Sequence, residues 1–417
     1  MNTSEHILSL ADRCVKCGLC LPQCPTYALT ENENESPRGR IALIQGWLSG
    51  QLAPSETLTQ HLDQCLLCRR CERVCPSVVP FGAIMDQSKA LLTKEVKPRF
   101  SLSSLIMNNS LKLMLSKTIS GYFFSILRLL QKTGIFILAA KSGLLKKTGL
   151  QRVLSYLPTL DKPFKSKSFY PASSINNEQQ VKGNVALFTG CLSKQLDPET
   201  VNASIKLLNY LGYGVYVPEQ QECCGALHLH DGNTQQAVTF ANKNITTFNQ
   251  QDNITSVISL VNGCTSQLRE YSKLTTENFN LEVKDIIEFL AELDWPENIT
   301  VKPLNKKVTV QIPCSLQNTL RADDKLLSLI NRIPALTIED VFNRCCGAAG
   351  SYFLRHPQIS DQLQQQAATQ LRQTSPDYII SSNLGCALQL KAGLRNGRGA
   401  PQIIHPVALI AQQLNLN

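Results

Sequence analysis

The chain has 417 residues, enough for roughly two to four domains. Hydrophobic residues make up 43% and charged residues 18%, a balance that excludes a disordered chain and a polytopic membrane protein. The unusual count is the sixteen cysteines. Residues 1–11 include Glu5 and no long apolar run, so we expect no export signal. The cysteines are therefore predicted to be metal ligands or redox thiols rather than disulfides.

Two cysteine runs near the N-terminus share one spacing, Cys-x2-Cys-x2-Cys-x3-Cys-Pro, which is typical of bacterial ferredoxins with two 4Fe-4S clusters. In such ferredoxins the fourth cysteine of each run binds the cluster of the other run. The predicted ligands of the first cluster are Cys14, Cys17, Cys20 and Cys75, and those of the second cluster are Cys65, Cys68, Cys71 and Cys24. Zinc sites or structural thiols are the alternative, but zinc ligands come in pairs rather than in such runs.

The residues between the two runs indicate helices. Residues 38–49 and 55–64 both have helical periodicity, and Ile41, Ile44 and Trp47 belong to a broad apolar face in the first of them. We therefore predict that residues 1–95 form a helical ferredoxin module rather than a β-rich one.

The middle of the chain is strongly basic. Residues 96–160 contain ten Lys or Arg and no Asp or Glu, and basic residues interrupt the apolar ones too often for the roughly 18 to 20 residues that a membrane span needs. This pattern predicts a pair of basic amphipathic helices on an anionic membrane surface. A helical hairpin packed on the ferredoxin is the alternative, and no motif indicates nucleic-acid binding. The polar residues 166–183 predict a linker. The basic helical segment and this linker together are assigned to residues 96–182.

The C-terminal half contains a repeat. Cys191 is followed by Cys223-Cys224-Gly225 and then Cys264, and Cys314 is followed at nearly equal spacing by Cys345-Cys346-Gly347 and then Cys386. This agreement predicts two copies of one module, over residues 183–299 and 300–417.

Each copy alternates short apolar strands with helices. Strands are predicted over 185–189, 214–217, 256–261, 308–312 and 378–382, and a helix over 202–211. The alternation predicts a largely parallel sheet, whose ligands bind beyond the carboxyl ends of the strands. The whole chain is thus predicted to be an α+β multidomain protein. The four thiolates of each copy are expected to converge on one point near helix N-termini. They would hold an iron–sulfur cluster or zinc, or they would bind no metal and act as redox thiols. The glycine that follows each cysteine pair would permit the sharp turn that two adjacent ligands need.

The combined motifs resemble the glycolate oxidase iron–sulfur subunit family. The local motifs that carry the resemblance are Cys24-Pro25-Thr26-Tyr27, Pro37-Arg38-Gly39-Arg40-Ile41, Cys223-Cys224-Gly225-Ala226 and Cys345-Cys346-Gly347-Ala348-Ala349-Gly350-Ser351-Tyr352. The resemblance implies that partner subunits containing FAD oxidise a 2-hydroxy acid such as glycolate or D-lactate. This chain would pass the electrons toward the quinone pool, in the cytoplasm on the inner face of the plasma membrane.

Two departures limit what the resemblance implies. Related heterodisulfide reductases commonly close each module with Cys-x-x-Cys, whereas Gln267 and Gln389 stand at those positions here. The sequence also has no dinucleotide-binding or Walker-type glycine motif, so we expect no catalytic residue for hydride transfer on this chain. A disulfide reductase acting at the cysteine pairs and an anaerobic glycerol-3-phosphate dehydrogenase subunit are the alternative functions.

Overall fold

The structure is a computed structural model, and it describes residues 3–96, 117–133, 152, 156–160, 162–172, 181–251, 253–395 and 400–416. The longer α-helices are Thr3–Ala11, Pro25–Thr30, Pro37–Leu48, Glu56–Asp63, Phe81–Glu95, Lys117–Lys132, Pro198–Tyr210, Thr234–Asn249, Asn262–Arg269, Ile286–Glu292, Asp323–Ile330, Pro357–Gln373, Leu384–Leu394 and Pro406–Gln413. Shorter helical turns are Glu33–Glu35, Arg70–Arg73, Ser193–Leu196, Ala226–His230, Tyr271–Lys273, Ser315–Leu320 and Tyr352–Arg355.

The N-terminal module is helical, as the sequence predicts. The helices Pro37–Leu48 and Glu56–Asp63 each begin after a serine, Ser36 or Ser55, whose side chain accepts a hydrogen bond from a backbone N–H of the first turn. Their apolar faces enter one core with Thr3–Ala11 and Phe81–Glu95. Because the core is built from helices that surround the two cysteine runs, it fixes the loops that carry the cysteines.

The third quarter of the chain forms a five-stranded sheet. Its strands are β1 (Phe169–Tyr170), β2 (Gly183–Phe188), β3 (Tyr213–Tyr216), β4 (Ile254–Ser259) and β5 (Glu282–Asp285), in the order β1-β3-β2-β4-β5. Strands β2 to β5 pair in parallel, and β1 pairs antiparallel with β3. The parallel sheet is as predicted. Strand β1 is a finding, since it comes from the stretch that the sequence analysis assigned to a linker.

The last quarter forms a second sheet. Its strands are β6 (Lys306–Gln311), β7 (Leu336–Phe342), β8 (Tyr378–Ser381) and β9 (Gln402–Ile404), in the order β7-β6-β8-β9 and all parallel. Apolar residues of β2 and β6 belong to one continuous core, and the Pro406–Gln413 helix packs against Pro198–Tyr210. The two modules therefore share a core rather than standing apart.

The described part of the basic segment contacts the repeated modules. Phe124 and Leu127 of the Lys117–Lys132 helix are buried in a cluster with Leu157, Leu160 and Leu354. This differs from the alternative of a hairpin packed on the ferredoxin, because the buried row of the helix meets apolar residues of the modules. The rest of the predicted helical pair lies outside the described residues. No described helix is long and apolar enough to cross a membrane.

Candidate iron–sulfur sites

The second predicted set of ferredoxin ligands is brought together. Cys24, Cys65, Cys68 and Cys71 line one small cavity of about 20 Å³. Burial raises the pKa of the Cys65, Cys68 and Cys71 thiols, and the neighbouring cysteines of the set raise it further. Without a bound metal these thiols resist ionisation. The site therefore favours an occupant whose positive charge stabilises the thiolates.

The first predicted set lies at the surface of the same module. Burial and the neighbouring Cys14 and Cys17 raise the pKa of Cys20, which places these three cysteines close together. Cys14 and Cys75 both pack against the ferredoxin core. Cys17 is exposed, so this set is the more accessible one.

The two runs share an unusual backbone. Lys16 and Gly18 in the first run have left-handed φ angles of 55° and 87°, and Leu67 and Arg69, at the matching positions of the second run, have 49° and 55°. A left-handed residue reverses the local direction of the chain, and it is rare for residues other than glycine. The backbone N–H of Leu67 also donates to the Cys65 sulfur at 3.4 Å. The two loops are therefore shaped alike, which fits two equivalent cluster sites.

Arg40 supports the loop of Cys24. Its side chain is fully buried and paired with the buried carboxylate of Glu35. It also donates to the Thr26 hydroxyl at 3.1 Å, and that hydroxyl lies 3.2 Å from the Cys24 sulfur. Arg40 belongs to one of the local motifs quoted above, but no role was predicted for it. Its burial could have been predicted, because Arg40 is adjacent to Ile41 of the apolar helix face.

The four cysteines of the first repeated module form a connected group. Cys223 contacts Cys191 and Cys224 through its thiol, and Cys224 contacts Cys264. These hydrogen bonds lower the pKa of Cys223 well below its ordinary value. They raise the pKa of Cys191 and Cys224, and burial raises it further. The predicted convergence of four sulfurs is therefore present in this module.

The second module repeats the arrangement. The sulfurs of Cys346 and Cys386 are 3.1 Å apart. Burial raises the pKa of Cys314 to about 11, and the adjacent Cys346 raises it too. Cys345 lies within electrostatic reach of both Cys314 and Cys346, and burial raises its pKa strongly. All four predicted cysteines thus belong to one group, in which Cys346 and Cys386 are buried and the other two are partly buried.

Helix N-termini face the cysteines, as predicted. Cys264 and Cys386 each occupy the third position of a helix, Asn262–Arg269 and Leu384–Leu394 respectively. At the second of these helices the Asn383 side chain accepts from the N–H groups of Gly385 and Cys386. The positive end of a helix dipole stabilises a thiolate ligand.

Each cysteine pair turns at its glycine. Gly225 and Gly347 have φ angles of 87° and 84°, and each backbone N–H donates to the sulfur two residues earlier, at 3.5 Å to Cys223 and 3.4 Å to Cys345. A Cβ at position 347 would stand 2.6 Å from the carbonyl oxygen of Ser360. Glycine is therefore required there both by its backbone angle and by the available space.

One cavity joins the ferredoxin to both modules. It has a volume of about 360 Å³, and all eight cysteines of the modules line it together with Cys65 and Cys68. Asn318 donates to the carbonyl oxygen of Cys68 at 2.9 Å, and the Tyr352 hydroxyl donates to that of Gln64 at 3.0 Å. This junction could not be predicted from the sequence, since no periodicity or spacing relates residues that are more than two hundred positions apart.

The donor set fits iron–sulfur clusters. All sixteen cysteines are free thiols, most of them at least partly buried, in groups of up to four. Among the described residues, no three Cys, His, Asp or Glu are arranged to hold a single metal ion. Thiolates, backbone N–H groups and helix N-termini together are the surroundings that iron–sulfur clusters use.

Comparison with known families agrees with these groups. Residues 10–79 match the 4Fe-4S dicluster domain, and residues 185–269 and 308–391 each match the Cysteine-rich domain. The chain is therefore an iron–sulfur protein that combines a dicluster ferredoxin with two cysteine-rich repeats.

Two relatives match the chain over nearly its full length and identify its family. The chain is 30% identical over 420 residues to the probable glycolate oxidase iron–sulfur subunit of Bacillus subtilis (strain 168), covering 96% of this chain and 93% of that protein. It is 27% identical to the glycolate oxidase iron–sulfur subunit of Escherichia coli (strain K12), covering 97% and 95%. The chain belongs to the glycolate oxidase iron–sulfur subunit family, which confirms the resemblance.

More distant similarity covers part of the chain or the fold alone. One subunit of the anaerobic glycerol-3-phosphate dehydrogenase of Escherichia coli (strain K12) is 27% identical over 250 residues, which cover 57% of this chain and 61% of that protein. The crystal structure of a hypothetical protein from Helicobacter pylori superposes with a TM-score of 0.52 at 12% identity, covering 93% of this chain and 71% of that one. The dehydrogenase relative agrees with a role as a subunit of an oxidoreductase complex, and the Helicobacter pylori structure agrees with the fold.

Proposed function

We propose that this chain is the electron-transfer subunit of a complex that oxidises a 2-hydroxy acid, glycolate or D-lactate. Partner subunits containing FAD would carry out the oxidation, and quinone would be the final acceptor. The observation that supports this most directly is the continuity of the cysteine groups, because ten of the sixteen cysteines line a single cavity between three modules. The chain alone would have no hydride-transfer activity.

The proposed ligands are those predicted from the spacing. Cys14, Cys17, Cys20 and Cys75 would hold one 4Fe-4S cluster, and Cys65, Cys68, Cys71 and Cys24 the other. In one or both repeated modules, the four cysteines would hold a further iron–sulfur cluster, with zinc as the alternative occupant. When bound, such clusters supply one-electron oxidation and reduction. The residues of this chain would bury the clusters, donate N–H groups to their sulfur ligands and set the spacing between them.

The order of the sites follows from their neighbours. Cys68 lies within electrostatic reach of Cys314 and Cys345 of the second repeated module, and Arg70 of the ferredoxin acts on Cys314. The second ferredoxin site and the second module are therefore adjacent. We propose that electrons leave the ferredoxin at this point.

The proposed entrance is the exposed first ferredoxin site. Three apolar side chains around it are exposed, Val15 by 69%, Leu19 by 56% and Val78 by 75%, and Cys17 is exposed beside them. Apolar side chains that rim an accessible redox site are typical of a surface that contacts another protein. We propose that the flavin subunits bind here.

The first experiment is an anaerobic purification of the tagged chain from its own host, with assays for iron, sulfide, flavin and hydroxy-acid-dependent quinone reduction. Flavin that copurifies, together with activity on one acid, would support the proposal and name the substrate. Cys17→Ser and Cys68→Ser should each remove the iron of one cluster and stop quinone reduction, while the flavin is still reduced by substrate. Turnover that survives either change would refute the assignment for that cluster.

A surface variant tests the entrance separately. Val78→Asp should lose copurified flavin while it keeps the iron content of the wild type, because the Val78 side chain is 75% exposed and takes no part in the ferredoxin core. Leu52→Asp places the same charge at another exposed apolar position, 44% exposed, and should keep the flavin. Equal flavin in both variants would show that the partner binds elsewhere.

A disulfide reductase is the second candidate. The observation that favours it is the short contact between the Cys346 and Cys386 sulfurs. A reduced preparation that cleaves low-molecular-weight disulfides, and that loses this activity in Cys346→Ser, would support it. Activity with glycerol 3-phosphate in the purified complex would instead favour the third candidate, the glycerol-3-phosphate dehydrogenase subunit.

A further inference from the structure

The Lys117–Lys132 helix carries a row of exposed apolar side chains. Ile119, Tyr122, Ile126 and Leu129 are exposed by 46%, 76%, 60% and 62%. Their spacing of three and four residues places them along one face of the helix. The other exposed large apolar residues of the described chain lie on loops or strands rather than on helices, and Val15, Leu19 and Val78 at the first ferredoxin site are among them. This row, called here the outer face, is the longest exposed apolar row on any described helix.

The opposite side of the helix is fixed to the body of the protein. Phe124 and Leu127 are buried, at 0% and 7% exposure. The Gln131 side chain donates to the carbonyl oxygen of Pro158 at 3.0 Å and accepts from the N–H of Leu160 at 2.9 Å. Since packing and hydrogen bonds set the rotation of the helix, the outer face points away from the modules. An exposed apolar row held in this way is a surface available to a partner.

The charge of the surrounding sequence selects the partner. Residues 96–160 carry ten positive charges and no negative ones, while the chain as a whole sums to only +9. A basic segment is attracted to an anionic surface, and its apolar residues gain by leaving water. An anionic lipid bilayer offers negative charge and an apolar environment within a few ångströms of each other, because its acyl chains lie beneath a layer of negative headgroups.

We propose that the outer face of the Lys117–Lys132 helix lies in the headgroup region of an anionic membrane. The helix would run along the surface, because its opposite side, with Phe124 and Leu127, is packed on the body of the protein. Tyr122, the most exposed residue of the row, suits the interface because its ring is apolar and its hydroxyl is polar. This inference deepens the proposed function, which requires access to a quinone dissolved in the membrane, but vesicle binding needs neither substrate nor flavin subunits.

The test is cosedimentation of the full-length holoprotein with vesicles. Vesicles that contain phosphatidylglycerol should bind the protein, vesicles of pure phosphatidylcholine should bind it much less, and added salt should weaken the binding. Ile126→Asp should lower the partition coefficient between vesicles and water about tenfold or more. The apolar side chain would be buried in the membrane on binding, and the change replaces it by a charge. Val341→Asp, at a 38% exposed position of β7, introduces the same charge elsewhere and should bind like the wild type. Equal binding of the two variants, or no preference for anionic lipid, would overturn the proposal.

A second measurement reports the outer face itself. Tyr122→Trp keeps an aromatic ring and should show a blue shift of its emission when anionic vesicles are added, above the background of Trp47 and Trp295. Normal vesicle binding without this shift would mean that another surface docks, and would also overturn the proposal. A chain that binds vesicles but brings no flavin from its host would instead contradict only the proposed function.

Discussion

Single buried charges shape the ferredoxin module. Arg40 and Glu35 are 1% and 3% exposed in their side chains, and His61 Nδ1 lies 2.6 Å from the same carboxylate. A buried pair of this kind adds little net stability, but removing one partner leaves the other charged and buried. The pair is therefore better understood as a device that holds the loop of Cys24 in place.

Arg40→Leu should destabilise the ferredoxin module by about 3 to 5 kcal/mol, because it strands the Glu35 carboxylate in the core. Arg38→Leu on the same helix is the matched control, since its pair with Glu33 is 32% and 47% exposed and water can replace it, so this change should lower the stability much less. Urea unfolding followed by cluster absorbance measures both. Equal unfolding midpoints would contradict the role given to Arg40.

His405 should make stability depend on pH. Burial lowers its pKa to about 3, from an ordinary value near 6.5. Because the folded state holds the ring neutral, the unfolded state binds more protons as the pH falls below about 6.5, and stability falls with it. The loss between pH 7.5 and 5.5 should be about 1.4 kcal/mol, and it would continue toward pH 3.

His405→Asn isolates this effect. The imidazole caps the Pro406–Gln413 helix by accepting from the N–H of Val407 at 3.2 Å, and asparagine can cap in the same way without titrating. Unfolding free energies of both proteins at pH 7.5 and 5.5 give the comparison. The variant should lose about 1.4 kcal/mol less than the wild type over this interval, and parallel curves would show that His405 is not the titrating group.

At the scale of single elements, the turn after each cysteine pair is the most demanding feature. Gly347→Ala should lower the iron content of the second module and cost at least about 2 kcal/mol, because it adds a contact with the Ser360 carbonyl to the strain of a left-handed backbone. Gly50→Ala separates the two costs, since Gly50 has a φ of 78° but nothing within 4 Å of an added Cβ. It should cost about 1 to 2 kcal/mol and leave the iron content unchanged. Iron analysis and unfolding of both variants decide the matter.

The elements themselves were largely predictable from the sequence. The helices near residues 38–49 and 55–64, the cores of β2, β3, β4, β6 and β8, and the glycine turns follow from local rules, because periodicity and turn chemistry act between neighbours. Strands β5, β7 and β9 were not among the predicted strands. Strand β1 could not be predicted, since two residues carry no period and only pairing with β3 makes them a strand. The outer row of the Lys117–Lys132 helix was visible as amphipathic character, but which face would be buried depended on Leu354 and other distant residues.

At the scale of the whole molecule, the ligand groups were predictable and their junction was not. Cysteine spacing indicates which thiols belong together, because each group is assembled by one module. The meeting of Cys68 with Cys314 depends on how the ferredoxin docks on the modules, and that docking uses individual contacts such as Arg69 with Glu270 at 3.0 Å. Contacts of this kind leave no repeat or period in the sequence.

The docking contact next to the cysteines should matter more than an equally direct contact at the rim. Asn318→Ala removes the donor to the Cys68 carbonyl and leaves that partly buried oxygen without its partner, at a cost of about 1 to 3 kcal/mol. Arg73→Ala removes a contact across the same interface, to the carbonyl of Gln317 at 3.0 Å, but Arg73 is 37% exposed and water can replace it. Urea titrations monitored by cluster absorbance and by far-ultraviolet circular dichroism should therefore show earlier loss of the cluster in Asn318→Ala than in Arg73→Ala. The paramagnetic signal of the reduced second ferredoxin cluster should also change only in Asn318→Ala. If both variants lose the cluster at the same urea concentration, the Asn318 contact does not couple the ferredoxin to the second module.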